Sequence, residues 1–127
     1  MTVTRLGSGG PWEDVVGYSR VVVAGPWVLT AGCTATVEGV VTNVGDPYGQ
    51  TLQAYRIALA AAERAGATVA DVVRTRTYLV DAVHAGAAGR AHAELFGAVR
   101  PVSTMVVVAA LMHPDHLVEV ELEAYLP

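Results

Sequence analysis

The stretch Arg100–Pro127, RPVSTMVVVAALMHPDHLVEVELEAYLP, decides how the rest of the chain must be arranged. It holds two strand-like runs on either side of a short polar loop around Pro114. The second run reads VEVELEAY from Val118 to Tyr125, so Glu119, Glu121 and Glu123 alternate with Val118, Val120 and Leu122. Side chains alternate between the faces of a strand, so one face is apolar and the other carries three carboxylates. Like charges at that spacing repel, and each needs solvent, a cation or an arginine beside it.

The nearest candidate to answer that charge is Val72–Val80, VVRTRTYLV, a strand by its β-branched content. Its alternation predicts Arg74, Arg76 and Tyr78 on one face, with Val73, Thr75, Thr77 and Leu79 on the other. Arginines facing carboxylates would make these two strands partners. Glu121 and Glu123 are expected to be held by Arg74 and Arg76.

Two helices flank this strand in sequence. Asp46-Pro47 is a helix start, with Asp as N-cap and Pro at the first helical position. Leu52, Tyr55, Leu59 and Ala62 follow at helical spacing, and Gly66 is placed to end the helix just past Ala65. Thr68-x-x-Asp71 resembles a capping turn. Asp81 is placed to cap a second helix over Val83–Phe96, ending at Gly97, although Gly86 and Gly89 each cost it about 1 kcal/mol relative to Ala.

Further upstream, Tyr18–Ala24 and Trp27–Gly32 read as a hairpin turning at Gly25-Pro26. Val3–Leu6 suggests a small extra strand, and Trp12 and Glu13 are expected to lead into the first hairpin strand. The segment Thr34–Val44 reads as an irregular loop with weak strand character. GSGGP at residues 7–11 reads as a plain loop, since it lacks the Lys-Ser/Thr of a phosphate-binding loop. The order is β-β-α-β-α-β-β, an α+β domain with helices on one sheet face. The other face would collect Arg20, Arg74, Arg76 and the three glutamates.

A chain of 127 residues is expected to form one domain spanning 1–127. Its composition, 53% hydrophobic and 16% charged, is apolar for a small monomer and favours an oligomer. The N-terminus lacks the apolar core of a signal peptide, and Met105–Met112 is too short to cross a membrane. The single cysteine, Cys33, suits a reducing compartment, so a cytoplasmic location is expected. Net charge is −4, and all eight basic residues are arginines spread along the chain, against a nucleic-acid partner.

Chemistry-bearing residues are few. Cys33 follows Gly32 at a strand end, where it reads as packing or pocket lining, because no base stands at a recognisable spacing. His113-x-x-His116 has no third ligand at metal-binding spacing, so neither a metal nor a cofactor is expected. Ser103 and Thr104 offer hydroxyls without a Ser-His-Asp order. A buried glutamate could serve as acid or base.

Three segments together resemble the YjgF/RidA (reactive intermediate deaminase) family. They are VGYSRVVVAGPWVLTAGCTA (16–35), YGQTLQAYRIALAAAERAGATVADVVRTRTYLVD (48–81) and GRAHAELFGAVRPVSTMVVVAALMHPDHLVEVELEAY (89–125). The resemblance implies a chorismate-mutase-like sheet, related to ferredoxin-like folds. It also implies a homotrimer around a central β-barrel, with a small-molecule ligand in each inter-subunit cleft. Members with deaminase activity hydrolyse imines and enamines without a cofactor. By that resemblance Glu119 is the catalytic carboxylate, and Tyr18, Ala31, Gly32, Cys33, Ser103, Thr104 and Met105 line the pocket. The arginine expected two residues after the proline, which grips a substrate carboxylate, is replaced here by Ser103. Arg100 does not replace it, because strand alternation would turn it to the other face. The reading is therefore a non-standard enzyme on an imine, enamine or related carbonyl compound. A non-catalytic ligand-binding trimer is the alternative, and an endoribonuclease disagrees with a pI of 5.4.

Overall fold

The computed structural model describes residues 2–127. The chain folds as one main sheet with two helices, in the α+β manner. The strands are β1 (Val3–Leu6), β2 (Val21–Ala24), β3 (Trp27–Thr30), β4 (Thr36–Val37), β5 (Val40–Val41), β6 (Val72–Leu79), β7 (Val102–Val107) and β8 (Val118–Tyr125). The helices are α1 (Pro47–Arg64) and α2 (Ala85–Phe96). The six-stranded sheet runs β1-β2-β3-β8-β6-β7, and β4 and β5 form a separate small hairpin. All neighbours in the large sheet are antiparallel except β6 and β7, which α2 connects in parallel.

The closing stretch thus contributes two strands that never touch. β6 lies between them, taking β8 on one side and β7 on the other. This centres the sheet on the pair with the strongest charge complementarity. In the register Arg74 faces Glu123, Arg76 faces Glu121 and Tyr78 faces Glu119. Arg76 Nη1 lies 3.0 Å from Glu123 Oε1 and 3.6 Å from Glu121 Oε2, and Arg74 Nε lies 3.8 Å from Glu123 Oε2. Tyr78 donates its hydroxyl to Glu121. These groups are partly exposed, so the ladder sets register more than it adds stability.

One detail of β6 departs from simple alternation. The register shifts between Val72 and Arg74, so Val72 is buried while Val73 is exposed. A bulge inserts an extra residue and turns it off the core face. Val73 therefore leaves the Thr75, Thr77 and Leu79 face to which it was assigned.

The core lies between the apolar sheet face and the helices. Val118, Val120, Leu122 and Ala124 of β8 are buried, as are Val21, Val28 and Leu79. Against them α1 buries Leu52, Tyr55, Ala58 and Ala62 on one side, and α2 contributes Ala88, Ala91 and Phe96. Tyr55, Phe96 and His92 pack edge to face or tilted, with centroids 4.8–5.6 Å apart. Alanine-rich helix faces let α1 lie close on the sheet, with Tyr55 and Phe96 filling the larger gaps.

Helix α1 begins and ends as its caps dictate. The Asp46 carboxylate accepts from Gly49 N at 3.0 Å, Pro47 occupies the first turn, and Gly66 follows Ala65 at φ 95°. A side-chain cap of this kind contributes about 1 kcal/mol. Asp46→Ala is expected to lower unfolding free energy by that amount in urea melts, with an unchanged m-value. The Thr68–Asp71 capping box is also present. Asp81 caps as well, accepting from Val83 N, but it caps a short turn at Ala82–His84, and α2 proper starts at Ala85.

Two N-terminal segments differ from the sequence reading. Trp12 and Glu13 do not enter a strand. Glu13–Gly17 form a wide helical turn closed by a bond from Tyr18 N to Glu13 O at 3.0 Å. Glu13 is buried, and its carboxylate accepts from both the backbone N–H and the hydroxyl of Ser8. Satisfying a buried carboxylate outweighs the strand tendency of the flanking sequence. Arg100 is not on a strand either. It stands at φ 58° just before β7 and donates from Nε to Gly97 O at 3.4 Å, so alternation does not govern its direction. No described helix is long and apolar enough to cross a membrane.

Candidate functional site

Antiparallel pairing brings the approach to β2, the end of β3 and the start of β8 to one end of the sheet. Beyond β3, Cys33 forms an isolated bridge to Val120, which extends the β3–β8 contact past Thr30. Here an open cavity of about 1340 Å³ forms. Its wall includes Tyr18, Arg20, Gly32, Cys33 and Glu119 from the sheet end, and Ile57 and Ala61 from α1. The 8–12 loop, the β4–β5 hairpin and the Met112–His116 loop complete it.

That last loop is pinned from behind. Gln50 of α1, fully buried, donates to Asp115 O at 2.7 Å and accepts from Leu117 N at 2.8 Å. His116 Nε2 lies 2.8 Å from Thr36 Oγ1, which ties the loop to the small hairpin. Burial, with His113 adding to it, lowers the His116 pKa. His113 and His116 therefore serve as cavity wall, and among the described residues no group of three or more His, Cys, Asp or Glu converges to hold a metal ion.

Glu119 differs from its two neighbours on β8. Glu121 and Glu123 are each engaged by arginine. Opposite Glu119 stands Tyr78, whose hydroxyl is already committed to Glu121. Among the described residues the Glu119 carboxylate has no hydrogen-bond or ion-pair partner closer than the ordinary limits. Burial raises its pKa above 4.5, Glu121 adds to the rise, and Arg20 opposes it. A carboxylate with a raised pKa facing a cavity is suited to taking up and returning a proton.

The approach to that carboxylate depends on Gly32. A Cβ at this position would lie 2.5 Å from Glu119 Oε2. The side-chain-free backbone of Gly32 is what lets the carboxylate stand beside the β3 end.

Cys33 is 1% exposed and belongs to the core cluster, so it lines the cavity from within the wall. Its thiol donates toward Ala31 O at 3.5 Å, and burial raises its pKa despite the nearby Arg20. A thiol held protonated in this way is a packing group.

The residues singled out from the sequence fall into two groups. Tyr18, Gly32, Cys33 and Glu119 share the cavity, and Ala31 sits beside it, donating its N–H to Arg20 O at 2.9 Å. Ser103, Thr104 and Met105 are elsewhere on the same chain. Ser103 pairs with Thr75, and Glu119 pairs with Tyr78 three residues further along β6. That offset alone is about 10 Å, with one intervening strand besides. Ser103 also accepts from Thr75 Oγ1 at 2.9 Å, and Thr75 Oγ1 lies 2.7 Å from His92 Nε2 of α2. Ser103 thus turns toward the helix face, whereas Glu119 projects from the other. Within a single chain, Ser103 and Glu119 do not face a common space.

Sequence reading placed Arg20 only on a polar sheet face and gave Glu13 no role. In the structure Arg20 is central to the cavity. The placement of Tyr18 in the pocket was a usable signal for Arg20 two residues on, although both stand on the approach to β2, ahead of Val21, rather than on a strand. No comparable signal existed for Glu13, whose carboxylate is enclosed by a loop.

Comparison with known proteins places this geometry among relatives. The family model described as Endoribonuclease L-PSP matches residues 12–126. The uncharacterized protein SCO2049 of Streptomyces coelicolor is 44% identical over 123 residues, covering 97% of this chain and 92% of that protein. The crystal structure of Rv2704 from Mycobacterium tuberculosis, a member of the YjgF/YER057c/UK114 family, superposes with a TM-score of 0.89 at 44% identity. That match covers 98% of this chain and 100% of the other. A protein of unknown function from Pseudomonas aeruginosa, PA3499, superposes with a TM-score of 0.83 at 26% identity, over 98% and 93% of the two chains.

Proposed function

Because the chain belongs to the YjgF/YER057c/UK114 family, we propose that it is a cofactor-independent enzyme hydrolysing or tautomerising a small imine, enamine or related carbonyl compound, with Glu119 as its acid/base group. The observation that carries this reading is the unpartnered Glu119 carboxylate, raised in pKa by burial and set in a cavity. In imine hydrolysis Glu119 takes a proton from water as its oxygen bonds to the C=N carbon. It passes that proton to the nitrogen, giving a carbinolamine. It then carries the hydroxyl proton to the same nitrogen as C=O forms and the C–N bond breaks, so imine and water become carbonyl compound and ammonia. No redox partner is required.

The working form in this proposal is a homotrimer with a chorismate-mutase-like subunit and a central barrel. Two features support it. Strands β1 and β7 are sheet edges, and β7 leaves Val102, Val106 and Val107 exposed. Long apolar edges are usually covered. Ser103, Thr104 and Met105 lie outside the cavity of their own chain, and Ser103 faces away from Glu119, so in this proposal β7 of a second copy brings them to it. Tyr18, Ala31, Gly32 and Cys33 would form the other wall.

Where the family resemblance expects an arginine, Ser103 offers only a hydroxyl. A charge-assisted bidentate contact is worth about 1.5–3 kcal/mol. Ser103→Arg is expected to leave the melting temperature nearly unchanged, because Ser103 lies exposed on an edge strand. It should add measurable 2-imino-acid hydrolysis, read as ammonia release. No gain would mean that the cleft differs from carboxylate-binding relatives at more than this position.

The competing reading is a ligand-binding trimer without turnover. Thermal-shift screening of carbonyl and imine metabolites, followed by product analysis on hits, separates them. A ligand recovered unchanged after long incubation would defeat the enzymatic reading. An endoribonuclease activity, the description carried by the family model, is disfavoured by the net charge of −4 and the absence of lysine.

A further inference from the structure

We infer that Arg20 is the ligand-anchoring and specificity-determining residue of the Glu119 cavity, and that it selects a neutral carbonyl oxygen over a carboxylate. The inference rests on the reading of that cavity as the ligand site, and it extends that reading to the class of ligand.

The guanidinium is fixed from several directions. Nη1 donates to Gly32 O at 2.6 Å and to Cys33 Sγ at 3.6 Å, and Nη2 donates to Tyr18 OH at 3.3 Å. The guanidinium carbon also lies 5.6 Å from the Tyr18 ring centroid. A guanidinium carries five N–H donors. These bonds use three of them and leave one on Nη2 without an acceptor among the described residues. Arg20 lines the cavity with Glu119, so that donor and the carboxylate serve one space. Its side chain is only 16% exposed, so little rotamer freedom remains to be lost when a ligand binds.

Charge decides which oxygen fits. Arg20 Nε lies 3.7 Å from Glu13 Oε2, a carboxylate that is itself 8% exposed. Hydrogen bonds from Ser8 hold the Glu13 pKa low, so that carboxylate stays ionised. The cation is therefore largely answered before any ligand arrives. Besides Arg20, the cavity wall carries Arg64 against Glu38 and Glu119. With Glu13 counted, two cations meet three carboxylates. That balance offers no surplus positive charge for an anion, and Glu119 opposes one directly. A polarised neutral oxygen takes the spare Nη2 donor without that penalty. The apolar wall of Ile57, Ala61 and Met112 suits the hydrocarbon part of such a molecule. Glu13 is then a positioning residue, acting on the ligand only through Arg20.

The test uses two ligands of one shape, cyclohexanone and cyclohexanecarboxylate, titrated against the full-length protein by ligand-observed NMR. Wild type is expected to bind the ketone at least roughly tenfold more tightly than the carboxylate, the size of a charged group left poorly paired. Arg20→Met should weaken ketone binding by roughly fivefold, the scale of one hydrogen bond, and Arg20→Lys should also weaken it by losing the fork. Glu13→Gln should shift the preference toward the carboxylate by roughly fivefold, because it frees the charge on Arg20. A merely structural Glu13 would leave the ketone-to-carboxylate ratio where it is in wild type. The inference is overturned if wild type prefers the carboxylate or binds no ketone, if folded Arg20 variants bind the ketone as wild type does, or if Glu13→Gln leaves the ratio unmoved. Ketone binding that depends on Arg20 without any turnover would fail the catalytic reading and leave this one standing.

Discussion

Glu119→Gln is expected to reduce kcat by roughly 10²–10⁴-fold on any imine or enamine that the protein turns over, the usual scale for removing a general acid/base. KM should change far less, since glutamine keeps the shape of the side chain. The pH profile provides a second check. Burial, then Glu121, raises the Glu119 pKa above 4.5, so the acid limb of kcat/KM should lie above that value and vanish in the variant. Stability should move the opposite way. A carboxylate whose folded pKa is raised binds protons better in the native state. Its ionisation therefore destabilises the fold at pH values above that pKa, and the cost disappears below the unfolded value. Glu119→Gln should melt at a higher temperature than wild type at neutral pH, with the gap closing as pH falls below about 4.5. Turnover that survives the substitution would remove Glu119 from the mechanism.

Tyr55→Ala should be the most destabilising single change in the helix layer, at about 3–5 kcal/mol by the usual cost of deleting a buried aromatic ring. Tyr55 is 0% exposed and stacks edge to face with Phe96 and His92. Its hydroxyl lies 2.6 Å from Thr77 Oγ1, joining α1 to β6. Burial pushes the phenol pKa to about 12, so the group stays neutral across the working range. In a chain of this size the loss should lower Tm by more than about 10 °C. Tyr55→Phe separates ring from hydroxyl, since it leaves the Thr77 oxygen without its partner at a cost of about 1–3 kcal/mol. If Tyr55→Ala melted within a degree or two of wild type, the helix–sheet interface would have to be held chiefly by other contacts.

Much of this architecture was legible without coordinates because it is governed by short-range rules. Asp46-Pro47, Gly66 and the Thr68–Asp71 box act within a few residues, where capping and left-handed geometry leave few alternatives. Alternation in VEVELEAY placed the glutamates, and the arginines of VVRTRTYLV gave them a cross-strand answer. Val73 escaped because a bulge depends on the partner strand as well as on the residue itself. Trp12 and Glu13 escaped because the bond from Ser8 that holds Glu13 competes with local propensity and leaves no periodic trace.

What residue order determined by itself is the two helices and the main strands, the charged sheet face and the family. The strand register then set Glu119 opposite Tyr78, whereas Glu121 and Glu123 stand opposite arginines. The tertiary structure decided how those parts meet. Inserting β6 between β7 and β8 turned Ser103 away from Glu119 in the same chain, and closing the sheet end brought Arg20, backed by Glu13, up to the cavity. The physical reason is that alternation and capping are local, whereas strand order and the company a buried charge keeps depend on contacts between residues distant in sequence, such as Arg20 with Gly32 or Glu119 with Gly32.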